Sequence, residues 1–208
     1  MLLINEENTL NYSPSCERNQ DVILKQLLPI LSSVSSVLEI GSYSGQHALH
    51  FCSSLSHLNW QPSDQHSLVA NLNENLHRHN IDNIKPAIEL DVSDPVQWPE
   101  TKFDLIFSAN TLHIMSWQHV VEMFNNLPKC LNNQSYLCIY GPFKYNGQYT
   151  SSSNANFQLW LQNRDPVSGI RDFEKINELA EDIGLTLLQD IAMPANNQLL
   201  IWKYENVC

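Results

Sequence analysis

The fold is decided by the stretch Val37-Leu38-Glu39-Ile40-Gly41-Ser42-Tyr43-Ser44-Gly45-Gln46-His47, in which an apolar run ends in an acid and then in a glycine-bearing turn. This pattern predicts the first strand of a nucleotide-binding sheet and a loop that cradles a cofactor. Glycines suit such a loop, because a backbone that turns sharply against a ligand leaves no room for side chains. The Glu-x-Gly-x-x-x-Gly spacing differs from the dinucleotide fingerprint, which indicates a cofactor without a pyrophosphate. From this stretch alone, an ordinary strand, turn and helix remains an alternative.

Composition limits the possible functions. The chain has 208 residues and 43% hydrophobic content, which predicts a single domain over residues 1–208. The formal net charge of -11, with no cluster of basic residues, disfavours nucleic acid and membrane surfaces as partners. No stretch has the pattern of a signal peptide or a membrane span, so we expect a cytoplasmic protein. The five cysteines lack C-x-x-C spacing and are expected to be reduced thiols, mostly buried.

The N-terminal part predicts a helix. Ser13 followed by Pro14 has the form of an N-cap with proline at the first helical position, and the apolar stripe continues to about Leu31. Arg18 and Asn19 fall in its first turn, where they are either solvated or part of the site. We interpret residues 1–33 as an N-terminal lid and helix.

Polar residues follow the predicted strands. Asp64 comes just after the second strand, about 20 residues beyond the glycine loop, where an acid can accept hydrogen bonds from both hydroxyls of a ribose. It could also cap the next helix. After a third strand over Ile84–Leu90, Asp91 and Val92 are placed to read adenine, and Asn110 follows the fourth strand.

These positions are expected to converge, because ligands of an open parallel sheet bind outside the carboxyl ends of its strands. We therefore predict an adenosine cofactor. The predicted cofactor-binding residues, from the N-terminal turn and the strand ends, are Arg18, Glu39, Gly41, Ser42, Gly45, Asp64, Asp91, Val92 and Asn110.

The second half of the chain predicts a lid and a closing hairpin. From Gly141 to Gly169 the periodicity is lost, and interleaved aromatic residues favour an ordered lid, placed at 142–169 between the fifth strand and the last helix. The short turn at Met193–Asn197 joins two strands, which must then be antiparallel.

Short motifs in the sequence match one family over almost the whole chain. They are Tyr12-Ser13-Pro14, Cys16-Glu17-Arg18-Asn19, Leu38-Glu39-Ile40-Gly41-Ser42, Gly45-Gln46-His47, Trp60-Gln61-Pro62-Ser63-Asp64, Leu90-Asp91-Val92, Phe107-Ser108-Ala109-Asn110, Tyr140-Gly141-Pro142-Phe143-Lys144, Ser153-Asn154-Ala155, Arg164-Asp165-Pro166, Gly169-Ile170-Arg171-Asp172 and Met193-Pro194-Ala195-Asn196-Asn197. With these motifs the sequence resembles the small methyltransferase-like proteins typified by methyltransferase-like protein 26, whose substrate is not settled.

The resemblance implies an α/β fold, the Rossmann-like class I methyltransferase sandwich with a mostly parallel seven-stranded sheet and an antiparallel last strand. It also implies S-adenosyl-L-methionine as cofactor. One position departs from the family pattern, because Tyr43 stands where a glycine is usual. If the backbone there needs a positive φ, a tyrosine is strained or forces another loop path.

Methyl transfer from a sulfonium is an in-line displacement, which requires positioning more than acid–base chemistry. If the acceptor is a hydroxyl or thiol, His113 is the best-placed general base, with Asn110 beside it. His113 could instead be a packed or solvated histidine. His47 and His50 share a helix face, but without a third ligand we predict no metal site.

The acceptor pocket is predicted to be a closed roof, which suits a small-molecule substrate. Its residues come from the N-terminal turn, the fifth strand, the lid and the final turn: Arg18, Asn19, Tyr140, Tyr145, Asn154, Asn156, Arg164, Asn196 and Asn197.

Two other function classes remain open. An NAD(P)-dependent oxidoreductase could use Asp64 in the same way, but the G-x-G-x-x-G spacing is missing and the closing hairpin is unusual for that class. A non-catalytic module that binds S-adenosylmethionine or a protein partner would be compatible with Tyr43 in the loop.

Overall fold

A computed structural model describes residues 11–205 of the chain. Two compact units comprise residues 1–90 and 91–208. Cys208 and the first ten residues of the predicted N-terminal lid lie outside the described residues.

The first unit contains three parallel strands and three helices. In chain order they are α1 (Pro14–Leu31), β1 (Ser36–Ile40), α2 (Gln46–Ser54), β2 (Asn59–Asp64), α3 (His66–His79) and β3 (Ile88–Glu89). β1 pairs with β2 and β2 with β3, both in parallel. The predicted start of α1 is confirmed, because Ser13 accepts the N–H of Cys16 and Pro14 occupies the first turn.

The third strand is shorter than predicted. The sequence indicated a strand over Ile84–Leu90, but β3 spans only two residues. Pro86 has no N–H to donate to a ladder. Asn73 of α3 takes both backbone groups of Ala87, accepting its N–H at 2.7 Å and donating to its carbonyl at 3.3 Å. A helix side chain therefore replaces the neighbouring strand at this point.

The second unit contains the remaining strands and helices. In chain order they are β4 (Phe103–Ala109), α4 (Trp117–Asn126), β5 (Leu131–Gly141), β6 (Phe143–Tyr145), β7 (Gln148–Tyr149), α5 (Ser152–Arg164), β8 (Arg171–Asp172), α6 (Phe173–Asp182), β9 (Leu185–Met193) and β10 (Asn197–Tyr204). β4 and β5 are parallel, whereas β10 is antiparallel to both β5 and β9. The predicted antiparallel hairpin is confirmed.

The segment predicted to be irregular contains a helix of 13 residues, α5. Ser151 caps it by accepting the N–H of Asn154 at 3.1 Å. Its sequence, SSNANFQLWLQNR, mixes apolar and polar residues around the whole circumference, and only Asn154 and Leu161 are buried. Because α5 lacks an apolar stripe, periodicity could not reveal it.

The predicted fold class is confirmed. The fold is α/β, with a mostly parallel seven-stranded sheet and an antiparallel strand near the end. Within residues 11–205, no helix is both long enough and apolar enough to cross a membrane.

Candidate active site

The predicted site residues are divided between the two units. The first unit holds Arg18, Glu39, Gly41, Ser42, Gly45 and Asp64, and the second holds Asp91, Val92, Asn110, His113, Tyr140, Asn154, Arg164 and Asn196.

The carboxyl ends of β1 and β2 lie side by side in the first unit, as predicted. The backbone N–H groups of Gly41 and Ser42 both donate to the carbonyl oxygen of Ser63, at 3.1 and 3.0 Å. The glycine loop is therefore attached to the end of β2, next to Asp64.

Asp64 has the placement expected of a ligand-binding carboxylate. Its side chain is buried, and its two oxygens accept the backbone N–H groups of Tyr43 at 2.7 Å and Gln65 at 2.8 Å. Burial raises the pKa of Asp64, while these two hydrogen bonds oppose the rise. An ionised carboxylate has about four lone-pair sites, so two N–H bonds leave acceptor capacity on both oxygens.

The loop itself contains the strain that the sequence raised as a condition. Tyr43 has a φ of 49°, in the left-handed region that tyrosine rarely adopts, and its side chain is 41% exposed. Gly45 has a φ of 74°, and a Cβ there would lie 2.8 Å from Cδ2 of Leu76. The close approach at Gly45 is thus to α3, whereas the sequence analysis attributed it to a ligand.

Glu39 organises the loop from beneath. Its buried carboxylate accepts hydrogen bonds from the hydroxyl of Ser42 at 2.9 Å and from the indole N–H of Trp60 at 3.0 Å. Its other oxygen lies 3.7 Å from Nδ1 of His47. The acid before the glycines therefore helps to shape the loop.

His47 is the functional neighbour that sequence reasoning missed. Its Nε2 lies 2.8 Å from Oδ1 of Asn19, so both ring nitrogens face acceptors. Burial by itself lowers the pKa, but contacts with Cys16 and Glu39 outweigh it and raise the pKa of His47 to about 9. A protonated His47 therefore links α1, α2 and the loop acid.

The two polar residues of the N-terminal turn have different environments. Asn19, predicted to line the acceptor pocket, is buried on the inner face of α1 against His47. Arg18 is exposed, and its guanidinium donates to the hydroxyl of Ser15 at 3.4 Å. Asn19 shares the four-residue spacing of Ile23 and Leu27, which is the sequence signal that could have indicated its burial.

In the second unit, Asp91 caps a turn. One of its oxygens accepts both the N–H and the hydroxyl of Ser93, at 2.9 and 2.7 Å, and these bonds lower its pKa. The carbonyl of Val92 accepts the indole N–H of Trp98 at 3.1 Å. The backbone after residue 90 is thereby fixed.

The ends of β4 and β5 also lie side by side. Asn110 has a φ of 58°, and its N–H donates to the carbonyl of Tyr140 at 2.8 Å. A non-glycine residue in this conformation at a strand end is typical of functional sites, where asparagine is among the more tolerant residues. The side chain of Tyr140 is buried.

His113 lies three residues further on and is 6% exposed. Its ring meets the ring of Phe157 edge to face, with centroids 5.3 Å apart. Burial, with a smaller contribution from the positive charge of Arg171, lowers the pKa of His113 to about 4. The imidazole is therefore neutral near pH 7 and has a free nitrogen lone pair for a proton.

The predicted acceptor-binding residues are only partly brought together. Asn154 donates to the carbonyl of Asn196 at 2.9 Å, and the amide of Asn196 donates to the hydroxyl of Ser153 at 3.0 Å. Arg164 is ten residues along α5, roughly 15 Å away at 1.5 Å per residue, and lies over the ring of Trp160. Arg164 and Asn154 are therefore at opposite ends of one helix.

The family model described as "Protein of unknown function (DUF938)" matches residues 10–204. Among solved structures, an O-methyltransferase family protein from Burkholderia thailandensis has a TM-score of 0.75 at 14% identity, covering 92% of this chain and 60% of that chain. Human N-acetylserotonin methyltransferase, in complex with S-adenosylmethionine, has a TM-score of 0.76 at 16% identity, covering 92% and 53%. The protein PigF, with S-adenosylhomocysteine, has a TM-score of 0.72 at 14% identity, covering 88% and 57%. The chain spans a little more than half the length of these proteins, and the likeness shows a methyltransferase fold.

Proposed function

The chain belongs to the family described as protein of unknown function (DUF938), and we propose that it is an S-adenosylmethionine-dependent methyltransferase acting on a hydroxyl group of a small molecule. The observation that carries the proposal is the buried carboxylate of Asp64, which holds the glycine loop through the N–H of Tyr43. The similarity to solved methyltransferases and the resemblance to methyltransferase-like protein 26 both support it.

The residues of the first unit fit an adenosine-containing cofactor. Asp64 retains acceptor capacity for two ribose hydroxyls, and its position is fixed by two backbone N–H groups. Glu39 is held by Ser42 and Trp60, so the loop it shapes is organised before any ligand binds. When bound, the cofactor supplies an electrophilic methyl group on a positively charged sulfur. Within the second unit, Asp91, Val92 and Asn110 are proposed as further cofactor contacts.

The role proposed for His113 is to accept the proton of the acceptor hydroxyl. As the new oxygen–carbon bond forms and the sulfur–carbon bond breaks, the hydroxyl oxygen becomes strongly acidic. A neutral imidazole of low pKa then suffices to take the proton, which passes on to solvent. Such a base is ready at neutral pH without a prior deprotonation step.

The proposal is tested by calorimetric titration with S-adenosylmethionine and S-adenosylhomocysteine. We expect both to bind, and Asp64→Ala to weaken binding by roughly 10- to 100-fold, because a hydrogen bond to a charged group contributes about 1.5–3 kcal/mol. Asp82→Ala, an exposed acid of the same unit, is the matched control and should bind as wild type does. Absence of binding to a folded sample would contradict the proposal and favour a protein-interaction module, whereas binding of reduced nicotinamide would favour an oxidoreductase.

A further inference from the structure

Four consecutive carbonyl groups around His113 are held by one segment of the chain, residues 168–171, which we term the clasp. The carbonyl of His113 accepts the N–H of Gly169 at 2.8 Å, and that of Ile114 accepts the hydroxyl of Ser168 at 2.9 Å. The flanking carbonyls of Leu112 and Met115 both accept from the guanidinium of Arg171. The loop that carries the proposed base is therefore bonded at every residue from 112 to 115.

Arg171 is the residue that spans this loop. Its Nε donates to the carbonyl of Leu112 at 3.0 Å, and its Nη2 donates to the carbonyls of Met115 and of Val167, the latter at 3.1 Å. A guanidinium presents five donors in a rigid plane, so one side chain can fix carbonyls that lie three residues apart. Lysine has the charge but lacks this fork.

The clasp is also attached to the helix that contacts the His113 ring. The N–H of Ile170 donates to Oε1 of Gln158 on α5 at 2.7 Å, and the neighbouring Phe157 packs against His113. A Cβ at Gly169 would lie 2.9 Å from the amide nitrogen of Gln158, so this approach requires glycine or a shift of that side chain. Backbone and ring of His113 are thereby fixed by the same assembly.

We propose that Arg171 is a positioning residue for His113, and that it holds the loop and places a fixed positive charge near the imidazole. The inference deepens the proposed function, on which its catalytic meaning rests. It accounts for a partly buried arginine whose described hydrogen bonds all go to backbone carbonyls.

The groups that face the His113 loop from each packed element define what the charge can do. The clasp contributes the guanidinium of Arg171, and the carboxylate of Asp165 lies 3.4 Å from the clasp hydroxyl of Ser168. Helix α5 contributes the uncharged ring of Phe157, and the end of β5 contributes Gly141, whose Cβ would lie 3.8 Å from Nδ1 of His113. The positive charge of Arg171 disfavours a proton on the ring, as burial does.

The test compares Arg171→Met, Arg171→Lys and Ser168→Ala in the full chain by NMR titration of the His113 ring, assigned with His113→Gln. Arg171→Met should raise the midpoint of that titration by about one pH unit or more, because charge and fork are both lost. Arg171→Lys should change the ring chemical shifts, which report position, with a smaller rise in the midpoint. Ser168→Ala, which keeps the guanidinium, should leave the midpoint close to wild type. Arg78→Lys, an exposed pair of the first unit, is the matched control for arginine replacement.

The same variants separate the two proposals. If S-adenosylmethionine binds equally well to all of them and turnover falls in the Arg171 variants through kcat with KM unchanged, both proposals are supported. If the cofactor does not bind to wild type but the His113 midpoint still moves, the methyltransferase proposal fails and the positioning role stands. A His113 midpoint and chemical shift unchanged in both Arg171 variants would overturn the positioning role, whatever the activity.

Discussion

The glycine-loop region of the first unit and the His113 loop of the second each bury one histidine, and the two rings have opposite charge states. His47 is 3% exposed and its pKa is raised to about 9, whereas His113 is 6% exposed and its pKa is lowered to about 4. Burial lowers the pKa in both cases. The difference comes from the partners, because His47 faces the carboxylate of Glu39 and His113 lies near the guanidinium of Arg171.

This comparison separates a structural histidine from a chemical one. His47 has acceptors at both nitrogens, so its protons are committed to holding α1, α2 and β1 together. His113 is held through its backbone carbonyl and its ring face, which keeps the neutral ring available for proton transfer. Four predictions follow the contrast from the largest expected effect to the smallest.

The largest effect concerns turnover. His113→Gln should lower kcat for methylation of a hydroxyl acceptor by about 10²- to 10⁴-fold, the usual contribution of general acid–base catalysis. The measurement is transfer of a labelled methyl group to acceptors found in a substrate screen. His77→Gln, on an exposed part of α3, serves as the control. Unchanged turnover in His113→Gln would mean that the acceptor needs no base.

The second effect concerns stability. His47→Gln should reduce the free energy of unfolding by about 3 kcal/mol, because removing one partner leaves the buried carboxylate of Glu39 without its countercharge. Urea unfolding measures the change. His113→Gln should cost less in the same assay, and equal losses for the two variants would break the distinction drawn between the rings.

The pH dependence of stability tests the two charge states directly. His47, with a raised pKa, stabilises the fold fully below pH 6.5, and its contribution is lost as the pH rises toward 9. His113, with a lowered pKa, contributes above pH 6.5, and this is lost as the pH falls toward 4. Each contribution is on the order of 3 kcal/mol at most. His47→Gln should flatten the alkaline side of the profile and His113→Gln the acid side; a His47→Gln profile that keeps the full alkaline slope would contradict this assignment.

The smallest effect concerns the loop above His47. Tyr43→Gly removes a left-handed tyrosine, which is strained by about 1 kcal/mol, and should bind S-adenosylmethionine at least as tightly as wild type. Titration calorimetry measures this. Asn80→Gly, at a φ of 48° where asparagine is tolerated, should change little. Clearly weaker binding by Tyr43→Gly would show that the tyrosine side chain belongs to the site.

The elements predicted from the sequence are those whose periodicity reports burial. The apolar stripe of α1 with its cap, the strand before Gly41 and the final antiparallel hairpin were all predicted. The helix α5 was missed, because it has no apolar stripe. The strand around Ile88 was overestimated, because the sequence does not show that Asn73 binds the backbone of Ala87.

The candidate site divides in the same way. That Asp64 and the glycine loop meet was predictable, since parallel strands end at the same edge of a sheet. The contact of His47 with Asn19 was not, because the two residues are 28 positions apart and come from different helices. The motif Gly169-Ile170-Arg171-Asp172 was visible in the sequence, but its bonds to the His113 loop span more than 50 positions.

The sequence by itself determined the fold class and the residue types available at the strand ends, because hydrophobic periodicity and turn chemistry act over a few neighbouring residues. Only the tertiary structure decided which of the two buried histidines is charged. That outcome depends on the partner which packing brings within a few ångströms, a carboxylate for His47 and a guanidinium for His113.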